Sequence, residues 1–324
     1  MPATRRPPKS QKIDWPDALE RYLTHLRATR FARRTVDGVG ERLANLRRVL
    51  EPRCPLLADV TLDDLRGHQA SLFTGESTAS GRPLSARAAA NHASTVRAFF
   101  RFLADDELVP LDPAARLEQP RCPPRRAGEA LTVDEVTRLL TLARDGATTP
   151  TGQRDHALVE LLYATGLRRN EALHLELGDV DRRARDVVVR HGKGDKHRRV
   201  PLTRSAYHVL AAYLDEGRRA LTTSHPDSVA HVFLSVRGRR LDHMALARLL
   251  RGLVAGAGIE RRVSPHTLRR SFATHLLQGG ASLRAIQLLL GHEALSTTAF
   301  YLDVDPRELR REVLSKHPRE RLDL

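Results

Sequence analysis

The sequence predicts a mainly α chain in two parts, a small four-helix N-terminal domain and a larger, mostly helical domain with a small antiparallel sheet. Three observations lead there. Apolar residues recur at helical spacing along most of the 324 residues. A proline- and arginine-rich stretch, Pro110 to Gly128, interrupts that pattern once. The β signals are few and short, and two of them flank a glycine-containing turn.

The N-terminal elements follow in order. Residues 1–11 read as a flexible basic tail. A helix starts at the cap Asp14 with Pro16 just inside, and Ala18, Leu19, Tyr22, Leu23 and Leu26 form its stripe. A second helix over 34–50 aligns Val36, Val39, Leu43, Leu46 and Leu50. A third begins at Thr61, where Thr61 and Asp64 have capping-box spacing. A fourth begins near Ser85 and presents Ala89, Val96, Phe99, Phe100 and Leu103. Residues 12–106 therefore read as one helical domain. In 107–130, Pro110, Pro113, Pro120, Pro123 and Pro124 forbid a continuous helix. This stretch is either a strap along a phosphate backbone or a solvated linker.

The second domain spans 131–305. Helices are predicted at 132–145, 153–164, 168–176, 203–219, 242–256, 265–278, 282–290 and 295–302. Strands are predicted at 186–190, 198–202 and 231–235. The first two strands flank His191-Gly-Lys-Gly-Asp-Lys-His197 and read as a hairpin. Residues 306–324 read as a short helix and charged tail, expected to dock on a neighbouring subunit.

Composition narrows the partners. Fifty-four basic against 39 acidic residues give a formal charge of +15, which calls for a polyanion. An arginine-rich genome is the bland alternative, since the enrichment runs along the whole chain. No apolar run approaches the ~20 residues of a membrane span, and the N-terminus lacks the apolar core of a secretory signal. Cys54 and Cys122 suggest neither a disulfide framework nor a metal cluster, and a cytoplasmic location is expected. Only five of the 54 basic residues are lysines: Lys9, Lys12, Lys193, Lys196 and Lys316. Arginine cannot release a proton near neutral pH, so a retained lysine is a candidate for proton transfer, against chance retention.

The chemistry-bearing residues cluster in the second domain. Ser264-Pro265 opens a helix whose first turn carries His266 and Arg269, an arrangement suited to an anion, although such a pair also occurs by accident on surfaces. Arg168 follows Thr165-Gly166-Leu167, with Glu171 three residues on. It is either a surface arginine paired with Glu171 or, with Arg269, a clamp on the non-bridging oxygens of a phosphate. Tyr163, Tyr207 and Tyr213 read as packing, while Tyr301 follows Ser296-Thr-Thr298 near a short helix end. Tyr301 is either packing too or a nucleophile whose phenolate the arginines stabilise.

The runs Ala164-Thr-Gly-Leu-Arg168-Arg-Asn-Glu171, Gly192-Lys193-Gly194-Asp-Lys-His-Arg198 with Val200-Pro201-Leu202, and Pro265-His266-Thr-Leu-Arg269-Arg-Ser-Phe-Ala-Thr-His275 resemble the tyrosine recombinase (phage integrase) family. So do Leu290-Gly291-His292 and Ser296-Thr-Thr-Ala-Phe-Tyr301. The likeness is close over 130–305 and looser over the N-terminal bundle, which resembles the family's SAM-like core-binding domain. The nearest pattern is the compact Xer type, since little chain precedes Asp14. The resemblance implies a site-specific recombinase working on double-stranded DNA as a homotetramer, or as a heterotetramer with a related recombinase, without metal, ATP or other cofactor. It implies Tyr301 as nucleophile forming a 3′-phosphotyrosyl bond, Arg168 and Arg269 as phosphate holders, and Lys193 as proton donor to the 5′-oxygen. His266 would assist as acid–base, His292 would hydrogen-bond the phosphate, and Glu171 would support Arg168. Arg270 and Arg169-Asn170 depart from the common pattern at positions outside these roles. His197 and His275 fall outside the catalytic set, the first expected in solvent and the second near the core. Two other readings stand beside this one: a type IB topoisomerase, and a DNA-binding regulator that has retired its chemistry.

Overall fold

A computed structural model of the chain describes residues 13–123, 128–190, 197–222, 230–291 and 306–321. The chain divides into two compact units, Met1–Arg126 and Ala127–Leu324.

The first unit is built on α1 (Trp15–Ala28), α2 (Arg33–Leu50), α3 (Leu62–Thr74) and α4 (Ala86–Asp105). Local chemistry sets their starts. The Asp14 carboxylate accepts from the Asp17 amide at 2.9 Å, and Thr61 and Asp64 complete a reciprocal capping box at α3. Trp15, Leu43, Leu46, Phe99 and Phe100 bury the centre, and the Trp15 indole donates to the Cys54 carbonyl at 2.8 Å. The predicted connector begins later than expected. Leu108, Val109, Ala114 and Leu117 join this core, and the Gln119 amide donates to Ser94 at 2.8 Å. The prolines there prevent a helix but not burial, because the apolar residues between them reach the bundle in turns.

The second unit is organised around α6 (Pro150–Thr165), whose run from His156 to Thr165 is buried throughout. The helix starts three residues earlier than the periodicity suggests, because Thr149 caps it and Pro150 supplies the first turn. Around it pack α5 (Val133–Asp145), α8 (Arg204–Ala212) and α11 (Pro265–Gln278). The helix predicted at 168–176 is shorter, as α7 (Arg169–Leu173), and is followed by a 3₁₀ turn at Leu177–Asp179. The helix predicted at 203–219 is α8, a π turn at Tyr213–Gly217, and then α9 (Arg218–Thr222). Further on come α10 (His243–Gly256) and α12 (Leu283–Leu290).

The sheet has three antiparallel strands in the order β1 (Val180–Asp181), β2 (Asp186–Val189), β3 (Arg198–Pro201), with Val187 opposite Val200. The predicted hairpin strands are present. The strand predicted at 231–235 is not in the sheet. Instead it makes isolated bridges, Glu176 with His231 and Leu234 with Arg240. Its apolar run, Val232-Phe-Leu234, is fully buried against helices, so burial rather than sheet pairing accounts for the β-like pattern. The third strand is instead the two-residue β1, too short to leave a sequence signal. Residues 191–196 and the helix predicted at 295–302 lie outside the described residues. Among the described residues, no helix is long and apolar enough to cross a membrane.

The segment after Asp305 docks on its own unit in this structure. It forms α13 (Pro306–Lys316) and α14 (Pro318–Arg321). Val313 and His317 are fully buried, and the His317 ring lies 4.8 Å from that of Tyr163 and 5.6 Å from that of Phe272. Arg319 forks onto both oxygens of Glu160 at 2.8 and 3.0 Å, with the glutamate fully buried. Few apolar residues mark this tail, which is why its sequence, expected to dock on a neighbouring subunit, gives no sign of packing on its own unit. Arg319→Met should leave the Glu160 carboxylate buried without its cation and lower stability by roughly 3–5 kcal/mol. Denaturant unfolding measures the loss, and adding Glu160→Gln should recover part of it.

Candidate active site

The site is assembled where four helix ends meet, those of α6, α7, α11 and α12. Helix α6 ends at Gly166, whose φ of 62° is the left-handed conformation that glycine allows. A β-carbon there would come within 2.5 Å of Phe272 on α11 and 2.9 Å of Leu290 on α12, so three helices close on this one residue. Leu167 is fully buried next to it, which turns Arg168 to the N-cap of α7.

Glu171, in the first turn of α7, reaches back to Arg168. The Arg168 amide donates to Oε2 at 2.7 Å and its Nη1 to Oε1 at 2.9 Å. From β3, Arg198 forks onto the same carboxylate at 3.0 and 2.8 Å. Burial alone would raise the Glu171 pKa. Hydrogen bonds and charge from Arg198, followed by those from Arg168, outweigh it and hold the group at about 2.

Arg269 sits in the first half of α11, behind the cap made by Ser264 and Pro265. It is buried, and donates from Nη1 to the Gly166 carbonyl at 2.7 Å and from Nη2 to the Leu290 carbonyl at 2.6 Å. Burial first, then the neighbouring Arg168 charge, lower its pKa to about 10, so it remains a cation at neutral pH. Arg168 completes the arrangement by donating from Nη2 to the Gly291 carbonyl at 3.0 Å. Each guanidinium carries five N–H donors, so the backbone contacts orient both groups and still leave donors for an anion. Two guanidinium groups, those of Arg168 and Arg198, share the Glu171 carboxylate and Arg269 lies near it on backbone carbonyls, so the excess positive charge in a partly desolvated corner is what a phosphate would neutralise.

Of the sequence-predicted site residues, Arg168, His266 and Arg269 are described. His266 is exposed on the first turn of α11, where the free amides and the helix dipole favour an anion. Lys193, His292 and Tyr301 lie outside the described residues, although Gly291, against which Arg168 rests, immediately precedes His292 in the chain. His275 is buried and its Nδ1 pairs with the Tyr163 hydroxyl at 2.9 Å, while His197 is exposed, each as expected. Among the described residues, no three His, Cys, Asp or Glu side chains are grouped to hold a metal. Sequence reasoning gave Arg198 no role. Its signal was its place at the end of the run Gly192 to Arg198, where β3 begins, but only the fold brings it to Glu171.

Two family models match the chain: "Phage integrase family" over residues 129–308 and "Phage integrase, N-terminal SAM-like domain" over 19–107. This chain belongs to the phage integrase family. Among its relatives is the tyrosine recombinase XerD of Mycobacterium tuberculosis, 41% identical over 310 residues, covering 94% of this chain and 98% of that protein. Another is the tyrosine recombinase XerC of Oceanobacillus iheyensis, 39% identical over 263 residues, covering 81% of this chain and 83% of that protein. In fold, this integrase-family chain is similar to a lambda integrase fragment solved as a dimer bound to a core site. That match has a TM-score of 0.65 and 18% identity, and covers 90% of this chain and all of the other. The enzyme class is that of the tyrosine site-specific recombinases, as the ordered motifs led us to expect.

The charge balance gives a pH test. The Glu171 pKa is lower in the folded chain (about 2) than its ordinary 4.5. Its ionised form therefore contributes stability that is present above pH about 4.5 and lost as pH falls toward 2. The stability gap between wild type and Glu171→Gln should shrink across that window; a gap independent of pH would refute the assignment.

Proposed function

We propose that this chain cuts and rejoins double-stranded DNA at specific sites through a 3′-phosphotyrosyl intermediate. The observation that carries the reading is the pair Arg168 and Arg269, braced by backbone carbonyls and left with net positive charge around one carboxylate. In this mechanism the two guanidinium groups hold the non-bridging oxygens of the scissile phosphate and stabilise the charge that builds in the pentavalent transition state. The Tyr301 oxygen attacks phosphorus as its proton passes to His266, and the bond to the 5′-oxygen breaks as Lys193 protonates the departing oxygen. His292 donates a hydrogen bond to the phosphate. The 5′-hydroxyl of another strand then attacks the phosphotyrosine and releases Tyr301. The covalent bond conserves the phosphodiester energy, so the cycle requires no ATP, and the two guanidinium groups supply the charge stabilisation for which a metal would otherwise be needed.

The net charge of +15 supports a DNA partner held mainly through phosphates. The relatives' names support recombination over a type IB topoisomerase, and retention of all six motif residues in the sequence argues against a retired catalyst. We assign the working assembly as a tetramer on two duplexes, formed by this chain alone or with a related recombinase. Solved integrases of similar fold include a dimer on a core site and a tetramer on a Holliday junction, which supports an oligomer.

The test uses a nicked duplex carrying the site that the protein selects from a randomised pool, incubated with EDTA and no nucleotide. A covalent protein–DNA band on a denaturing gel, absent with Tyr301→Phe, is expected. A band that persists in Tyr301→Phe, or that requires added metal, would contradict the mechanism. Arg168→Ala and Arg269→Ala should each slow adduct formation by about 10²–10³-fold, with smaller changes in site binding by gel shift.

A further inference from the structure

The end of α12 carries a feature that the motif residues alone do not explain. A helix C-terminus leaves its last carbonyls without intrahelical partners. Here three successive carbonyls are each taken by a different guanidinium. Arg198 Nε donates to the Leu289 carbonyl at 2.9 Å, Arg269 to Leu290 at 2.6 Å and Arg168 to Gly291 at 3.0 Å. Two of these arginines form the phosphate-holding pair. Arg198 differs from them in how its nitrogens are used. Its Nη1 and Nη2 fork onto Glu171, and its Nε is on α12, so all three nitrogens already face protein acceptors. Its side chain is 14% exposed, against 41% for Arg168, so it is turned inward where Arg168 is presented outward.

We propose that Arg198 is a positioning residue for strand cleavage. It acts through two contacts on the structures that aim the phosphate-holding pair and does not itself touch the phosphate. Its fork fixes the Glu171 carboxylate, which in turn holds the Arg168 amide and guanidinium. Its Nε fixes the turn at Leu289–Gly291, against which Arg168 and Arg269 both rest. Gly291 permits this closeness: its φ is 64°, and a β-carbon there would stand 3.0 Å from Arg198 Nη1. Lysine cannot substitute, because one ammonium cannot fork onto Glu171 and also reach the Leu289 carbonyl in the same geometry. The inference rests on the cleavage reading above.

The experiment uses the full chain, the selected nicked duplex, and the same duplex with an uncharged methylphosphonate at the scissile position. Adduct formation is followed in single turnover, DNA binding by titration and folding by thermal melting. Arg198→Met should slow adduct formation on the ordinary phosphate by about 10²-fold, with DNA affinity changed by less than about threefold. On the methylphosphonate, which lacks the charge that the guanidinium pair neutralises, its deficit relative to wild type should fall to about tenfold or less. Arg168→Ala calibrates that narrowing. Arg198→Lys, which keeps the charge but loses the fork, should show the same substrate-dependent deficit to a smaller degree and covers the case in which Arg198→Met folds poorly. Equal deficits on the two substrates, a loss that tracks weakened DNA binding or melting, or full activity in both variants would overturn the proposal. A wild-type chain that forms no adduct, or one indifferent to Tyr301→Phe, overturns the functional reading and this inference with it. An active wild type with unaffected Arg198 variants removes only the inference.

Discussion

A single buried carboxylate, Glu171, anchors the arginines of the candidate site. Two guanidinium groups bind it directly and a third, that of Arg269, lies close enough for its charge to be felt. Burying this much positive charge is costly unless acceptors surround it. The fold meets that requirement with one carboxylate and a row of carbonyls at helix ends, which orient the cations without neutralising them. Charge complementation is therefore incomplete by construction, and the remaining donors point to an anionic ligand. The geometry depends on close approach: Gly166 and Gly291 both hold left-handed conformations at helix ends, where a side chain would collide with Phe272 at the first and crowd Arg198 at the second.

The surroundings of α6 fix where that corner lies. From His156 to Thr165 this helix has no solvated face, and its C-terminal residue leads straight into the Gly166 turn and Arg168. The C-terminal segment closes part of that enclosure by inserting His317 over Tyr163 and Phe272 and pairing Arg319 with Glu160. That segment therefore belongs to the stability of the catalytic unit in this structure. The same buried contacts make its removal costly, and any exchange with a neighbouring subunit would have to replace them with equivalents. The first unit needs none of this, since it closes its own core around Trp15, Phe99 and Phe100.

Particular elements mark how much could be read in advance. Helices α1 to α5 were legible because each exposes one face and buries the other; Asp14, Thr61, Ser85 and Thr132 cap four of them with side-chain acceptors, while α2 has no such cap. The start of α6 was less legible because its first turns, residues 150–155, are exposed or half-buried and carry no apolar stripe, so only the cap at Thr149 and Pro150 marks it. The run at 231–235 misled because buried extended chain and sheet strand share the same apolar pattern. Leu108 to Leu117 was placed in a connector because prolines dominate its local signal, yet its apolar residues pack on the bundle. In the site, Arg168, Arg269 and Glu171 were legible from motif spacing, whereas Arg198 was not, since its partners lie 27 and 91 residues away.

By itself the sequence determined the helical units, their caps, the hairpin strands, the family and the residue types available for phosphodiester chemistry. These depend on local periodicity, short-range hydrogen bonds and ordered motifs, all of which are written along the chain. Only the tertiary structure decided which of the many arginines faces which acceptor, that the tail covers its own unit, and that three guanidinium groups converge on the end of α12. Those outcomes depend on burial and on contacts between distant segments. A guanidinium's role is fixed by whether the fold gives it a carboxylate, a carbonyl or open space, and arginine is the same residue in all three.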